Sequence, residues 1–168
     1  MTEIRDAIEG ASSYLRAHPD EARYTDSVAM ATLETGLRVV VTGPNGESID
    51  SDMVPAVGGT GSAPSPGWLL RAAQASCVAT LIAMRAAMLG KRVDALNVAV
   101  ESVSDDRGIL GLDEAVPAGP LSMAVRVRLT LDGGSIGEVA DIVQWATDHC
   151  PVVDAVRRAV PLTLDIES

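Results

Sequence analysis

The sequence predicts an α+β fold in which antiparallel strands surround one long apolar helix. Apolar and polar residues alternate, as they do in strands, both before and after that helix. Strands that follow one another through short turns favour antiparallel sheets over a parallel α/β sheet. A length of 168 residues fits one domain with an added terminal element.

The first part of the chain is predicted to hold one helix and three strands. Residues 2–17 place apolar side chains at three- and four-residue spacing, which is typical of an amphipathic helix, and Pro19 follows its end. The Asn45-Gly46 pair predicts a hairpin turn, because it tolerates positive φ angles. We therefore expect residues 1–25 to form a helix and linker, and residues 26–168 to form the main domain. Strands are predicted at about 27–33, 37–42 and 47–53.

The most apolar stretch, residues 68–89, predicts the central helix. Ser65 is its predicted N-cap, and Pro66 takes the first helical position. Apolar residues lie nearly all round this helix, so it needs burial on several sides. One small sheet cannot supply that burial, and we therefore expect a homodimer. Arg71 and Arg85 leave 13 residues between them, too few for a membrane span.

The last part of the chain is predicted to contain three strands and two helices. Ser135 and Glu138 have the spacing of a capping box at a helix start. Pro151 begins a further short helix. Strands are predicted at 93–103, 121–131 and 162–166, and helices at about 135–148 and 151–159.

The charge balance excludes some classes of partner. The chain has 23 acidic and 13 basic residues, for a net charge of −10. It has no cationic surplus with which to bind nucleic acid, and anionic membrane surfaces should repel it. Its first residues lack the apolar segment of a signal peptide, so we expect a cytoplasmic protein whose thiols are reduced.

The two cysteines carry the most informative chemistry. Cys77 lies mid-helix on an apolar stripe, where it could simply be a small core residue. Cys150 sits at a predicted helix start, which favours a thiolate but also suits an N-cap. A zinc site with His18 and His149 lacks the usual ligand spacing. A cysteine–histidine hydrolase using Cys77 and His149 stays open, although His149 also fits a solvated cation at a helix end.

Five short motifs occur in the order Gly58-Gly59, Ser65-Pro66, Leu69-Leu70-x-Ala72-x₄-Cys77, residues 104–111 (SDDRGILG) and His149-Cys150-Pro151-Val152. In this order they resemble the OsmC/Ohr family over roughly residues 27–167. The resemblance implies an intertwined α+β homodimer that reduces organic hydroperoxides in defence against oxidative stress. It assigns Cys77 as the peroxidatic thiolate and Cys150 as the resolving thiol, with an external dithiol as reductant and no metal, haem or flavin.

One position departs from the family pattern. The peroxidases carry an acidic residue ten positions before the first cysteine, and here that position is Gly67. Arg38 matches the family's catalytic arginine loosely, and it also fits an exposed strand residue. Glu34 and Arg71 are candidates to replace the missing acid network, although Arg71 lies well round the helix from Cys77. The alternative function is therefore a dimeric small-molecule-binding or structural relative without efficient peroxidase activity, and helix 2–17 is an extra element in either case.

Overall fold

The computed structural model describes residues 2–167, and it confirms the α+β class with antiparallel sheets and a long apolar helix. The helices and strands, in chain order, are α1 (Thr2–Ala17), β1 (Met30–Leu33), β2 (Val39–Thr42), β3 (Ser48–Ser51), α2 (Pro66–Met88), β4 (Val93–Val103), α3 (Asp106–Ile109), β5 (Ser122–Leu131), α4 (Ile136–Asp148) and α5 (Pro151–Arg157). Short 3₁₀ turns lie at Pro19–Ala22 and Pro55–Val57.

The chain forms two compact units. One is Glu9–Ala72, and the other comprises the remaining described residues. The first unit contains the three-stranded antiparallel sheet β1-β2-β3, and the second contains the two-stranded antiparallel sheet β4-β5. The predicted division of the chain at residue 25 stays a prediction.

The β2–β3 hairpin turns at the predicted Asn45-Gly46 pair, but only the glycine takes a positive φ. Gly46 has a φ of 89°, and no described non-glycine residue has a positive φ. The Gly46 N–H donates to the Gly43 carbonyl at 3.4 Å, and the Gly43 N–H donates to the Glu47 carbonyl at 3.0 Å. This is a three-residue hairpin loop in which a glycine completes the turn. Asn45 instead donates its backbone and side-chain N–H groups to the Glu47 carboxylate.

Helix α2 begins and ends where the sequence predicts. The Trp68 N–H donates to the Ser65 hydroxyl at 3.3 Å, which caps the start. Gly90 follows the last turn with a φ of 67°, and the Lys91 N–H donates to the Ala86 carbonyl at 2.8 Å. The expectation that this segment is too short for a membrane is not upheld, because 23 residues of this composition are long and apolar enough to cross one. A core helix of a soluble protein has the same properties.

The core of the second unit lies between α2, the β4–β5 hairpin and α4. Val78 and Ile82 of α2 and Ile142 of α4 are at most 1% exposed. The apolar side chains of the alternating strands pack on this cluster, while polar side chains such as the Glu101–Arg126 ion pair lie on the other face. The packed strand residues are Val93, Leu96, Val98, Val125, Val127 and Leu129.

The second unit also contains a predicted cap and a prediction that is wrong. Ser135 and Glu138 form the predicted capping box of α4. The predicted strand 162–166 is not formed, and Leu162, Leu164 and Ile166 are 93%, 82% and 85% exposed. A strand needs a neighbouring strand for its backbone hydrogen bonds, and no described strand pairs with this segment.

Candidate active site at the cysteine pair

The fold brings Cys77 and Cys150 together, although 73 positions separate them in the sequence. The Cys150 Sγ lies 2.9 Å from the Cys77 Sγ, and the Cys150 thiol donates to it. Both cysteines are free thiols. Cys77 comes from the middle of α2, and Cys150 comes from the junction between α4 and α5.

The junction holds Cys150 through the local conformation of its neighbours. Helix α4 ends at His149, whose N–H donates to the Trp145 carbonyl at 3.0 Å. The His149 ring stacks on Trp145 with centroids 4.2 Å apart, and its Nδ1 lies 2.8 Å from the same carbonyl. Pro151 then starts α5, and the Val153 N–H donates to the Cys150 Sγ at 3.5 Å. Cys150 is therefore the N-cap of α5.

The two thiols differ in their access to solvent. Cys150 is 0% exposed and belongs to the apolar core with Val78, Ala146 and Val153. Cys77 is partly exposed at the edge of this core. A small molecule from solvent would reach Cys77 first, because Cys150 lies behind it in the core.

Within this unit, the environment of Cys77 favours the neutral thiol. Burial raises the pKa of the Cys77 thiol above its ordinary 9.0. The backbone N–H of Val152, at the start of α5, acts in the opposite direction. A nearby positive group would act in the same direction as this N–H and favour the thiolate.

Arg38 lies in the other unit, where two carboxylates hold it. Its Nε donates to Glu34 Oε2 at 2.9 Å, its Nη2 donates to Asp50 Oδ2 at 2.8 Å, and its Nη1 donates to the Ser62 hydroxyl at 3.2 Å. Glu34, followed by Asp50, raises the pKa of the Arg38 guanidinium. Sequence reasoning named Glu34 as a candidate and missed Asp50. The β2–β3 register supplies the signal, because it pairs Val39 with Ser51 and so places Asp50 diagonally across from position 38. The assignment of Arg38 as a catalytic residue stays a prediction.

A buried carboxylate that the sequence did not predict organises the loop beside Arg38. Asp52 is 2% exposed. It accepts hydrogen bonds from the Met53 N–H and from the backbone N–H and hydroxyl groups of Thr60 and Ser62. The hydroxyl of Thr60 and the other donors hold the pKa of Asp52 well below its usual range. Because Ser62 also binds Arg38, Asp52 fixes part of the arginine's surroundings.

Position 67 lies next to a basic side chain. A Cβ added to Gly67 would lie 3.9 Å from Arg71 Nη1. Arg71 and Trp68 help to line a cavity of about 290 Å³, together with residues 52–54, 61 and 63–65. The departure from the family pattern at Gly67 therefore removes an acidic group from the immediate surroundings of a guanidinium.

The two histidines contact carbonyls of their own helices. His18 Nδ1 lies 3.0 Å from the Tyr14 carbonyl, much as His149 does with Trp145. No group of three or more histidine, cysteine or acidic side chains within residues 2–167 could hold a metal ion. The geometry thus places His149 at a helix end, as one of the two sequence-based interpretations expected.

Comparison with known proteins identifies the family. The sequence model described as OsmC-like protein matches residues 59–165. This chain belongs to the OsmC-like protein family. The match contains both Cys77 and Cys150, as the resemblance of the motifs led us to expect. A search of curated proteins found no match.

Solved structures share the OsmC fold with this chain at low sequence identity. An OsmC-like protein from Mycoplasma pneumoniae is 13% identical, with a TM-score of 0.69 over 82% of this chain and 91% of that chain. An organic hydroperoxide resistance protein OsmC from Legionella pneumophila is 22% identical, with a TM-score of 0.59 over 80% and 91%. The organic hydroperoxide resistance protein OhrB of Bacillus subtilis is 16% identical, with a TM-score of 0.54 over 80% and 93%. These similarities establish the fold.

Proposed function

We propose that this OsmC-like protein is a thiol peroxidase that reduces organic hydroperoxides in defence against oxidative stress. The observation that carries the proposal is the pair of free thiols 2.9 Å apart, with Cys77 partly exposed and Cys150 buried. Similarity to structures named organic hydroperoxide resistance proteins supports the same class of substrate.

The first chemical step belongs to the exposed thiol. The Cys77 thiol gives its proton to water, and the thiolate sulfur attacks the outer oxygen of the hydroperoxide R–O–O–H. An S–O bond forms and the O–O bond breaks. The alkoxide takes up one proton and leaves as the alcohol, so the peroxide is reduced and Cys77 is oxidised to a sulfenic acid. The apolar residues around the pair suit a substrate with an organic R group.

The second step uses the buried thiol. Cys150 attacks the Cys77 sulfenic sulfur, a disulfide forms, and water leaves. An external dithiol then reduces the disulfide by exchange and is itself oxidised to a disulfide. These steps need no metal, haem or flavin. The proposed compartment is the cytoplasm, where reduced thiols persist.

The proposal assigns activation of Cys77 to a cation, because burial raises the pKa of this thiol. Arg38 is the proposed cation, with Glu34 and Asp50 replacing the missing acid at Gly67 as its anchors. A guanidinium near the sulfur would favour the thiolate. Replacement of Arg38 by Ala should therefore slow the reaction with peroxide and move its pH dependence to higher pH.

A homodimer is part of the proposal. The C-terminal side chains of Leu162, Leu164 and Ile166 are more than 80% exposed, and Ile136 is 91% exposed. Single chains rarely leave so many large apolar residues in water, so a second copy is the proposed cover. Sedimentation velocity should show a dimer, and a Leu164→Lys variant should shift it toward monomer.

Turnover of hydroperoxide tests the proposed function. The wild-type protein with dithiothreitol should consume cumene hydroperoxide and release the alcohol. Replacement of Cys77 by Ser should lower the rate to that of buffer, because no other described thiol lies at the solvent-facing position. Replacement of Cys150 by Ser should leave the first step intact and let Cys77 accumulate as sulfenic or more oxidised acid. An unchanged rate in Cys77→Ser would refute the mechanism.

Gly67 supports a second candidate function, a dimeric small-molecule-binding relative without efficient turnover. Under this alternative the wild-type protein would consume no hydroperoxide beyond one equivalent per thiol pair. A Gly67→Glu variant would place a carboxylate close to the Arg71 guanidinium. If Gly67→Glu turns over hydroperoxide at a measurable rate and the wild-type protein does not, the result would favour the small-molecule-binding function for the wild-type chain.

A further inference from the structure

Gln74 is a buried polar residue that the mechanism above does not use. It lies on α2 three positions before Cys77, and it is 4% exposed. Its Oε1 atom is buried and has no hydrogen-bond partner in the described part of the chain. Unpaired buried acceptors are costly, and native structures contain few of them. An unpaired carbonyl within one helical turn of Cys77 therefore points to a donor that arrives with a ligand.

The helix places Gln74 and Cys77 on adjoining positions. Residues three apart on a helix are neighbours, with Cβ atoms about 5–6 Å apart. Each Cα–Cβ bond tilts toward the helix N-terminus, so the Cys77 side chain leans toward the turn that contains Gln74. Cys150 already contacts the Cys77 sulfur. Thr80, one turn further along, is exposed.

We propose that Gln74 positions the substrate by accepting the hydrogen bond of the hydroperoxide O–H through its Oε1 atom. This role rests on the proposed peroxidase function. The outer oxygen of R–O–O–H carries the hydrogen, and it is the oxygen that the Cys77 sulfur attacks. An acceptor on that hydrogen holds the outer oxygen against the sulfur and leaves the inner oxygen free to depart as the alkoxide.

The same acceptor serves the product of the step. The S–O bond forms and the O–O bond breaks, while the transferred oxygen keeps its hydrogen. The Cys77 sulfenic acid therefore presents an S–O–H group where the peroxide O–H had been, and Gln74 accepts from it again. This contact turns the oxygen toward Gln74 and exposes the sulfur to Cys150, which lies 2.9 Å away before the reaction.

The test compares two electrophiles on matched variants in a Cys150→Ser background, where only Cys77 reacts. Cumene hydroperoxide has the O–H donor, and methyl methanethiosulfonate has no hydrogen-bond donor. Gln74→Met removes the acceptor at similar volume. The control is Gln144→Met on α4, an exposed glutamine whose Nε2 donates to Asp148 at 2.9 Å. Second-order rate constants are measured for the full-length chain by stopped-flow thiol loss.

We expect Gln74→Met to lower the rate with cumene hydroperoxide about tenfold, the typical effect of one lost hydrogen bond. Its rate with methyl methanethiosulfonate should stay within about twofold, because the thiol itself is unchanged. Its Tm should be equal or higher, since the variant removes an unpaired buried acceptor. Gln144→Met should leave both rates unchanged. If Gln74→Met fails to fold, Gln74→Leu provides the same test.

Three results would overturn this role of Gln74. Equal losses with both electrophiles would mean that Gln74 acts on the thiol, and no loss with either would mean that it has no role in the step. Dissociation of the protein in Gln74→Met would mean that a second copy supplies the donor. A wild-type chain that reacts with methyl methanethiosulfonate but not with cumene hydroperoxide would refute the proposed function, and with it the role of Gln74.

Discussion

Oxidation of the thiol pair should stabilise the fold by a measurable amount. A Cys77–Cys150 disulfide would close a loop of 73 residues. The chain-entropy relation gives about 4 kcal/mol for a loop of that length. The sulfurs must approach by about 0.9 Å from their 2.9 Å separation to reach bonding distance. The movement is small, so most of the entropic gain should survive.

The expected change in Tm follows from the size of the chain. For proteins of this length, 1 kcal/mol shifts Tm by about 2–4 °C, so oxidation should raise Tm by about 8–16 °C. The assay is thermal unfolding of the protein after reduction and after one equivalent of cumene hydroperoxide. Cys150→Ser is the control, because it can be oxidised at Cys77 but cannot close the loop. A fall in Tm on oxidation, or an equal rise in Cys150→Ser, would refute the reasoning.

Three further predictions concern the core, the buried carboxylate and the pH dependence of the thiol. Ile142→Ala should cost about 2–5 kcal/mol of unfolding free energy in urea, because Ile142 is 1% exposed and its loss leaves a cavity. An effect below about 0.5 kcal/mol would show that α4 does not pack as described. Asp52→Asn should lower the urea midpoint at pH 7. Because the folded pKa of Asp52 is depressed, the difference in midpoint from wild type should shrink as pH falls below about 4. A difference that is constant with pH would contradict the hydrogen-bonded carboxylate. The alkylation rate of Cys77 in the Arg38→Ala variant should reach half its maximum above pH 9, since burial raises the pKa of this thiol. A midpoint near pH 7 in this variant would exclude Arg38 as the activating cation.

The elements that depend on local patterns could be predicted from the sequence. Ser65 and Pro66 mark the start of α2, and Gly90 marks its end, because capping is decided by residues within one turn. Alternation predicted β4 and β5 to within one residue, because each strand has one face on the core and one in solvent. The capping box at Ser135 is equally local.

Features that depend on tertiary contacts could not be predicted in the same way. The separation of Cys77 and Cys150 depends on how α2 packs near the α4–α5 junction, which spacing does not encode. Asp52 reads as an ordinary loop residue until the loop folds back to donate to it. The alternation in 162–166 predicted a strand that is not formed, because a pattern does not supply the neighbouring strand that such a segment needs.

The most direct test of the central claim is a single turnover of the reduced protein with one equivalent of cumene hydroperoxide. Intact-mass and peptide mass spectrometry would follow the thiols, and chromatography would follow the alcohol. The proposed chemistry predicts one alcohol released for each intrachain Cys77–Cys150 disulfide formed, with the protein lighter by two hydrogens. Unmodified thiols beside unconsumed peroxide, or oxidation confined to methionine, would contradict it.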